Sequence, residues 1–210
     1  MRRSQVREAA SVSALFLLCM ALSAPALRAE GKPDLIRRIR PQATWDQVRL
    51  PELQVAILRD VATRVHERPK GTAGAGAGAS LLFVGGDGAA RLRAAEALAH
   101  DLAVDLYRVD LGGVVSKYIG ETEKNLAVVF ADADGANALL FFDEADALFG
   151  RRSEVKDSHD RYASVQTSYL LKRMKDYRGV AILDLDKDDT PGSPTLRRIR
   201  SVVHFPYPPK

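Results

Sequence analysis

At 210 residues the chain can bury one full hydrophobic core, about 100 to 200 residues being usual for a domain, so a single domain with appendages is expected. The formal charge of +4 looks basic, yet Arg2, Arg3, Arg7 and Arg28 against Glu8 place +3 of it in the first 29 residues. The remainder is nearly neutral and carries no electrostatic footprint for nucleic acid.

Residues 1–29 read as an export signal. MRRSQVR is a positive start, Val12 to Leu22 an apolar core, and Ala24-Pro25-Ala26 supplies small residues at the spacing a signal peptidase reads. The apolar core is shorter than the roughly 18 to 20 residues needed to cross a bilayer, so no stable membrane span is expected. Export would place the domain in the periplasm or outside the cell. The alternative is a start codon assigned too far upstream, which would leave it cytoplasmic. Cys19, the only cysteine, lies inside this segment, so cysteine usage does not report the redox compartment.

Residues 30–44 are charged, and Ile36-Arg37-Arg38-Ile39-Arg40 before Pro41 reads as a linker. Residues 45–79 form a second unit. The apolar spacing of Val48, Leu50, Leu53, Val55, Ile57, Leu58, Val61 and Val65 predicts an amphipathic helix over 51–67, with Pro51 favoured at its start. Pro69 to Ala79 (PKGTAGAGAGA) has too few large side chains to bury and reads as a flexible connector.

The core is expected over residues 80–208. Five apolar runs, Leu81–Val84, Leu106–Val109, Ala138–Phe142, Val180–Leu185 and Val202–Phe205, alternate with helical patterns. That alternation predicts an α/β fold, a five-stranded parallel sheet covered on both faces as a three-layer sandwich. The helix from Ser158 to Tyr177 carries Tyr162, Val165, Tyr169, Leu170, Met174 and Tyr177 on one stripe, read as core, with Gly179 as its stop.

The third run ends in adjacent carboxylates, Asp143 and Glu144, delivered to the carboxyl edge of the sheet where open α/β folds place ligands. This reads as the Walker B strand of a nucleotide hydrolase; the plain alternative is a pair of solvated strand-end carboxylates.

Four segments in order, GVVSKYIGETEKNLAVVF (113–130), LLFFDEADALFG (139–150), RRSEVKDSHDRY (151–162) and LRRIRSVVHFPYP (196–208), together resemble the core of an AAA+ ATPase. More narrowly they resemble bacterial AAA ATPases found beside phage-tail-like contractile injection systems. The resemblance covers residues 45–208 and implies a P-loop NTPase-like fold that uses ATP and Mg²⁺ to remodel a protein partner from a homo- or hetero-hexameric ring. It implies that Asp143 orders Mg²⁺ through water and that Glu144 polarises the attacking water. Arg197 and Arg198 match the arginines that reach a neighbouring subunit's γ-phosphate, their alternative being, with Arg200, a solvated basic face. Lys117-Tyr118-Ile119-Gly120 matches a pore loop that grips substrate polypeptide, unless Tyr118 is an ordinary packing aromatic.

Three departures from the family pattern stand out. A phosphate-binding loop reads G-x-x-x-x-G-K-[ST], in which backbone N–H groups and a lysine hold phosphate and a hydroxyl holds Mg²⁺. Here Gly85-Gly86-Asp87-Gly88-Ala89-Ala90-Arg91-Leu92 stands in that place, ahead of a helix expected over Leu92–His100. Arg91 is a wide fork where an ammonium belongs, Leu92 offers no oxygen, and Ala90 is expected to be strained where the pattern has glycine. Asp186 occupies a sensor position that is commonly Asn, and its carboxylate would repel a γ-phosphate unless a cation intervened. Asp184, Asp186 and Asp188 lack the glycine and glutamate of a calcium loop and read as a solvated acidic loop. Finally, Lys210 follows directly on the fifth strand, where the family continues into a helical lid, so a nucleotide is expected to be poorly enclosed. These departures predict that hydrolysis is weak or lost, which suits an exported domain without ATP; the alternative function is a non-catalytic AAA-like binding or scaffold protein.

Overall fold

The apolar runs form strands buried on both faces, because successive side chains of each run point to opposite sides of the sheet. The computed structural model describes residues 35–67, 78–149, 158–186, 196–199 and 201–207, apart from the side chains of 158–164. The expected signal, most of the glycine-rich connector, Asp188, Arg200 and Lys210 lie outside the described residues.

Six strands make one sheet: β1 (Ile36–Ile39), β2 (Ala79–Val84), β3 (Leu106–Asp110), β4 (Leu139–Asp143), β5 (Val180–Leu185) and β6 (Ser201–His204), in the order β1-β3-β4-β5-β2-β6. The five strands expected from the apolar runs are mutually parallel, as the α/β reading requires. The helices are α1 (Glu52–His66), α2 (Gly88–Asp101), the single turn α3 (Leu111–Val114), α4 (Glu121–Ala136), the single turn α5 (Asp146–Phe149) and α6 (Ser158–Asp176).

Two hydrophobic layers sandwich the sheet. On one face Leu58 and Val61 of α1 and Ala94, Ala95 and Leu98 of α2 pack on Leu81, Phe83, Phe141 and Ile182. On the other, Leu126, Val129 and Phe130 of α4 and Leu170 and Met174 of α6 pack on Leu82, Val84, Phe142 and Leu183. Aromatic pairs lock both layers: Phe83 lies 5.0 Å from Phe205, and Phe130 lies 5.5 Å from Phe142 and 5.7 Å from Tyr177, ring centre to ring centre. Each such pair contributes about 0.5–1.5 kcal/mol beyond the area it buries. The three-layer sandwich therefore stands. Among the described residues, no helix is long and apolar enough to cross a membrane.

Four expectations need correction. The sheet has a sixth strand, β1, formed by residues read as linker, and it pairs antiparallel with β3 in the register Ile36↔Val109 to Ile39↔Leu106. Its two central residues are exposed arginines, so the period-2 apolar signal is missing. Backbone pairing and the ion pair of Arg38 with Asp105, whose Oδ2 accepts from Arg38 Nε at 2.9 Å, hold it in place. Helix α2 begins at Gly88, four residues earlier than expected, because Asp87 caps it. Ala90 is consequently an ordinary helical residue and is absent from the positive-φ positions, so the expected strain does not arise. Lastly, Val165 of α6 is 56 % exposed, and Thr167 takes the core-facing place, its hydroxyl donating to the Leu148 carbonyl. A threonine on the buried stripe hides the true phase of the helix from an apolar pattern.

Candidate functional site

Of the residues singled out by sequence, the glycine turn with Arg91, the Asp143–Glu144 pair and Asp186 lie at the carboxyl ends of β2, β4 and β5, the edge where open parallel sheets bind ligands. After Val84 the chain reverses through Gly85 (φ +76°) and Gly86 (φ +63°), conformations that glycine adopts without strain. A Cβ on Gly86 would lie 2.7 Å from Phe205 Cβ, so the turn also needs glycine for the close approach of residues 205–206. Asp87 then caps α2, its Oδ1 accepting from the Ala89 N–H at 3.2 Å, while its carbonyl takes the N–H groups of Ala90 and Arg91. A carboxylate thus sits at a helix N-terminus, where negative charge is favoured and where a phosphate would compete for the same donors.

Arg91, on the first turn of α2, folds back beneath the glycine turn and is only 2 % exposed. Its Nε donates to Asp184 Oδ1 at 2.5 Å, Nη1 to the carbonyls of Gly85 at 2.6 Å and Gly86 at 3.3 Å, and Nη2 to Asp186 Oδ1. The Asp186 carboxylate, expected to repel a γ-phosphate unless a cation intervened, is met by the chain's own Arg91. Asp184 is 2 % exposed and was read as part of a solvated loop; it is the last but one residue of β5 and lies inside the core. Burial pushes its carboxyl up to about 7, with the hydrogen bond and charge of Arg91 pulling the other way. Arg91 stays firmly charged: burial lowers its pKa, but its bonds to Asp184 and Asp186 outweigh that and raise it. Leu92 is half-buried against the α1–α2 layer.

Asp143 ends β4 with Oδ1 accepting from the Glu144 N–H at 2.9 Å and Oδ2 accepting from Arg108 Nε at 2.7 Å. Glu144 follows in the left-handed region, φ +54°, with its side chain exposed. Strain of this kind costs of order 1–3 kcal/mol and concentrates at functional positions. The end of β5 is tied down as well: Asp186 N donates to Asp146 Oδ2 at 3.0 Å, and Ala145 N to the Asp184 carbonyl at 3.1 Å. Tyr207 Oη donates to the Asp186 carbonyl at 3.1 Å, closing residues 205–207 over the glycine turn.

Lys117, Tyr118, Ile119 and Gly120 lie apart from this cluster, between α3 and α4. Tyr118 is 71 % and Ile119 80 % exposed, and Gly120 (φ +80°) turns the chain into α4. Ser116 supports the loop, its Oγ accepting from Tyr118 N at 3.2 Å and donating to Glu121 Oε2 at 2.5 Å. Arg197 and Arg198 are exposed on a 3₁₀ turn anchored by buried Leu196 and Ile199.

The sequence reading did not single out Arg108, Tyr207 or a buried Asp184. A charged residue within a strand run was the available signal for the first and last. Binding of a nucleotide phosphate with Mg²⁺ would need an outward-facing cation, a hydroxyl at position 92 and an uncommitted Asp143. Arg91 faces inward, Leu92 has no oxygen to offer, and Asp143 is bonded to Arg108, so the residues present do not fit that ligand pair.

A profile of the ATPase family associated with various cellular activities (AAA) matches residues 81–207. The chain is 27 % identical over 180 residues to an uncharacterized AAA family ATPase of Sinorhizobium fredii, covering 85 % of this chain and 54 % of that protein. It is 26 % identical over 185 residues to cell division protein C of Sulfolobus acidocaldarius, covering 83 % and 49 %. With a cell division cycle protein 48 homolog of Archaeoglobus fulgidus it shares 24 % over 179 residues, covering 82 % and 24 %. The chain thus spans about half the length of these relatives, or less.

Proposed function

The chain belongs to the AAA family of ATPases, and from that premise we propose that it engages protein partners through the family's fold while hydrolysing ATP weakly or not at all. The observation that carries this reading is the inward Arg91. In a phosphate loop the cation and the glycine N–H groups turn toward the ligand. Here two glycine carbonyls and two carboxylates turn toward the cation instead. Extracting Arg91 to meet a phosphate would leave Asp184 buried and unpaired, a cost of several kcal/mol.

The rest of the molecule supports work done through protein contacts. The exposed Tyr118 and Ile119 beside Lys117 suit a loop that grips polypeptide. The exposed Arg197 and Arg198 suit a role at a neighbouring subunit's nucleotide, so a mixed ring with hydrolysing subunits is the assembly in which this chain contributes most.

The test is steady-state phosphate release and equilibrium ATP binding by the natural chain, beside a variant carrying Ala90→Gly, Arg91→Lys, Leu92→Thr and, to release Asp143, Arg108→Gln. Mg²⁺-dependent binding is expected in the variant alone. Phosphate release by the natural chain that scales with protein and disappears in Glu144→Gln overturns the reading.

A further inference from the structure

The carboxyl ends of the adjacent strands β4 and β5 carry three aspartates, and each is met by a guanidinium from this same chain. Arg108 bonds Asp143, and Arg91 bonds Asp184 and Asp186. The first pair is built by the sheet itself. In the β3–β4 register Arg108 stands opposite Phe141, so Asp143, two residues further on, is its diagonal neighbour on the same face. No loop has to move for this contact to form. Asp143 has both oxygens engaged, Oδ1 by the Glu144 N–H and Oδ2 by Arg108. The second pair is closed from above by residues 205–207: Phe205 N donates to the Val84 carbonyl at 2.9 Å, and Tyr207 holds the backbone of the very residue whose carboxylate meets Arg91.

A divalent cation needs several uncommitted oxygen donors around one point. This edge offers its carboxylates to planar, always-charged forks that carry their own donors and cannot be washed away. We propose that Arg91 and Arg108 are built-in counter-ions that take the place of a divalent cation, so that the chain holds Asp143, Asp184 and Asp186 together without metal and gives Mg²⁺ or Mn²⁺ no site at Asp143. This deepens the reading of an altered nucleotide site, but it stands or falls separately, because it concerns the metal and not the nucleotide.

Manganese alone, without nucleotide, is the probe. Mn²⁺ uptake by the full chain is followed by water-proton relaxation in the wild type, Asp143→Asn, Arg108→Gln and the Arg108→Gln/Asp143→Asn double variant, with circular dichroism on each to report folding. The wild type and Asp143→Asn are expected to take up Mn²⁺ alike. Arg108→Gln is expected to gain one saturable site, at least about tenfold tighter than residual surface binding, and the double variant to lose it. A saturable wild-type site that vanishes in Asp143→Asn overturns the proposal, as does a folded Arg108→Gln that gains nothing. Should Arg108→Gln fail to fold, the comparison of wild type with Asp143→Asn decides alone. A wild-type Mn²⁺ site without phosphate release sinks this inference and leaves the proposed function standing; phosphate release without a Mn²⁺ site does the reverse.

Discussion

Arg91 and Asp184 are 93 positions apart in the chain and 2.5 Å apart in space, with side chains only 2 % and 3 % exposed. The pair joins the start of α2 to the end of β5 and makes the glycine turn part of the core.

Removing one partner should therefore be far worse than removing both. At pH 8, where Asp184 is ionised, Arg91→Met is expected to cost about 3–5 kcal/mol in urea unfolding, because a buried carboxylate is left without its counter-charge. Adding Asp184→Leu should restore at least half of that loss, since an apolar pair of similar volume needs no desolvation of charge. A single-variant loss below about 1 kcal/mol would show that water reaches the pair.

The raised carboxyl of Asp184 fixes the direction of a pH effect. It titrates near 7 in the fold and near 4 when unfolded, so between those values the folded chain holds a proton that the unfolded chain has released. Stability must fall as pH rises through that window, by at most about 1.4 kcal/mol per pH unit, and level off above 7. Asp184→Asn should flatten the slope relative to wild type in parallel denaturation series from pH 4.5 to 8. Equal slopes would place the Asp184 pKa at its ordinary value.

Gly86 and Gly120 both adopt positive φ, +63° and +80°, but only Gly86 is crowded, by Phe205 and the Pro206 carbonyl. Gly120→Ala should cost about 1 kcal/mol from backbone conformation alone. Gly86→Ala should cost about 2–3 kcal/mol, because the added methyl also displaces residues 205–206. Thermal melting of the two variants side by side is the check, and equal losses would contradict the close approach.

Tyr118 makes the opposite kind of prediction. With 71 % of its surface exposed, Tyr118→Ala should leave stability within about 0.5 kcal/mol of wild type. If the loop grips polypeptide, the same variant should bind a fluorescently labelled, permanently unfolded polypeptide more weakly by anisotropy. Unchanged binding would make the tyrosine a bystander.

The parallel sheet was legible because its strands are buried on both faces and therefore read as unbroken apolar runs; Val180–Leu185 was bounded to the residue. The Walker B position was legible for the same reason, as the abrupt end of such a run at Asp143. Arg91 was flagged as the wrong chemistry for its place, but its direction was not readable. Whether a flexible side chain turns outward to a ligand or inward to Asp184 depends on a partner 93 residues away, which no local pattern encodes. Arg108 was missed for a related reason: its significance comes from strand register, which exists only once β3 and β4 pair. Strand β1 was hidden by Arg37 and Arg38, which break the apolar pattern without preventing backbone pairing.

Those two arginines have one more effect. Strand β1 is the last in its direction among the described residues, and an exposed strand edge invites pairing with another chain. Arg37 and Arg38 stand exposed on that edge, so two molecules approaching edge to edge would bring like charges opposite one another, which destabilises a ladder. The feature that concealed the strand from a sequence reader thus also disfavours edge-to-edge pairing of two copies at β1.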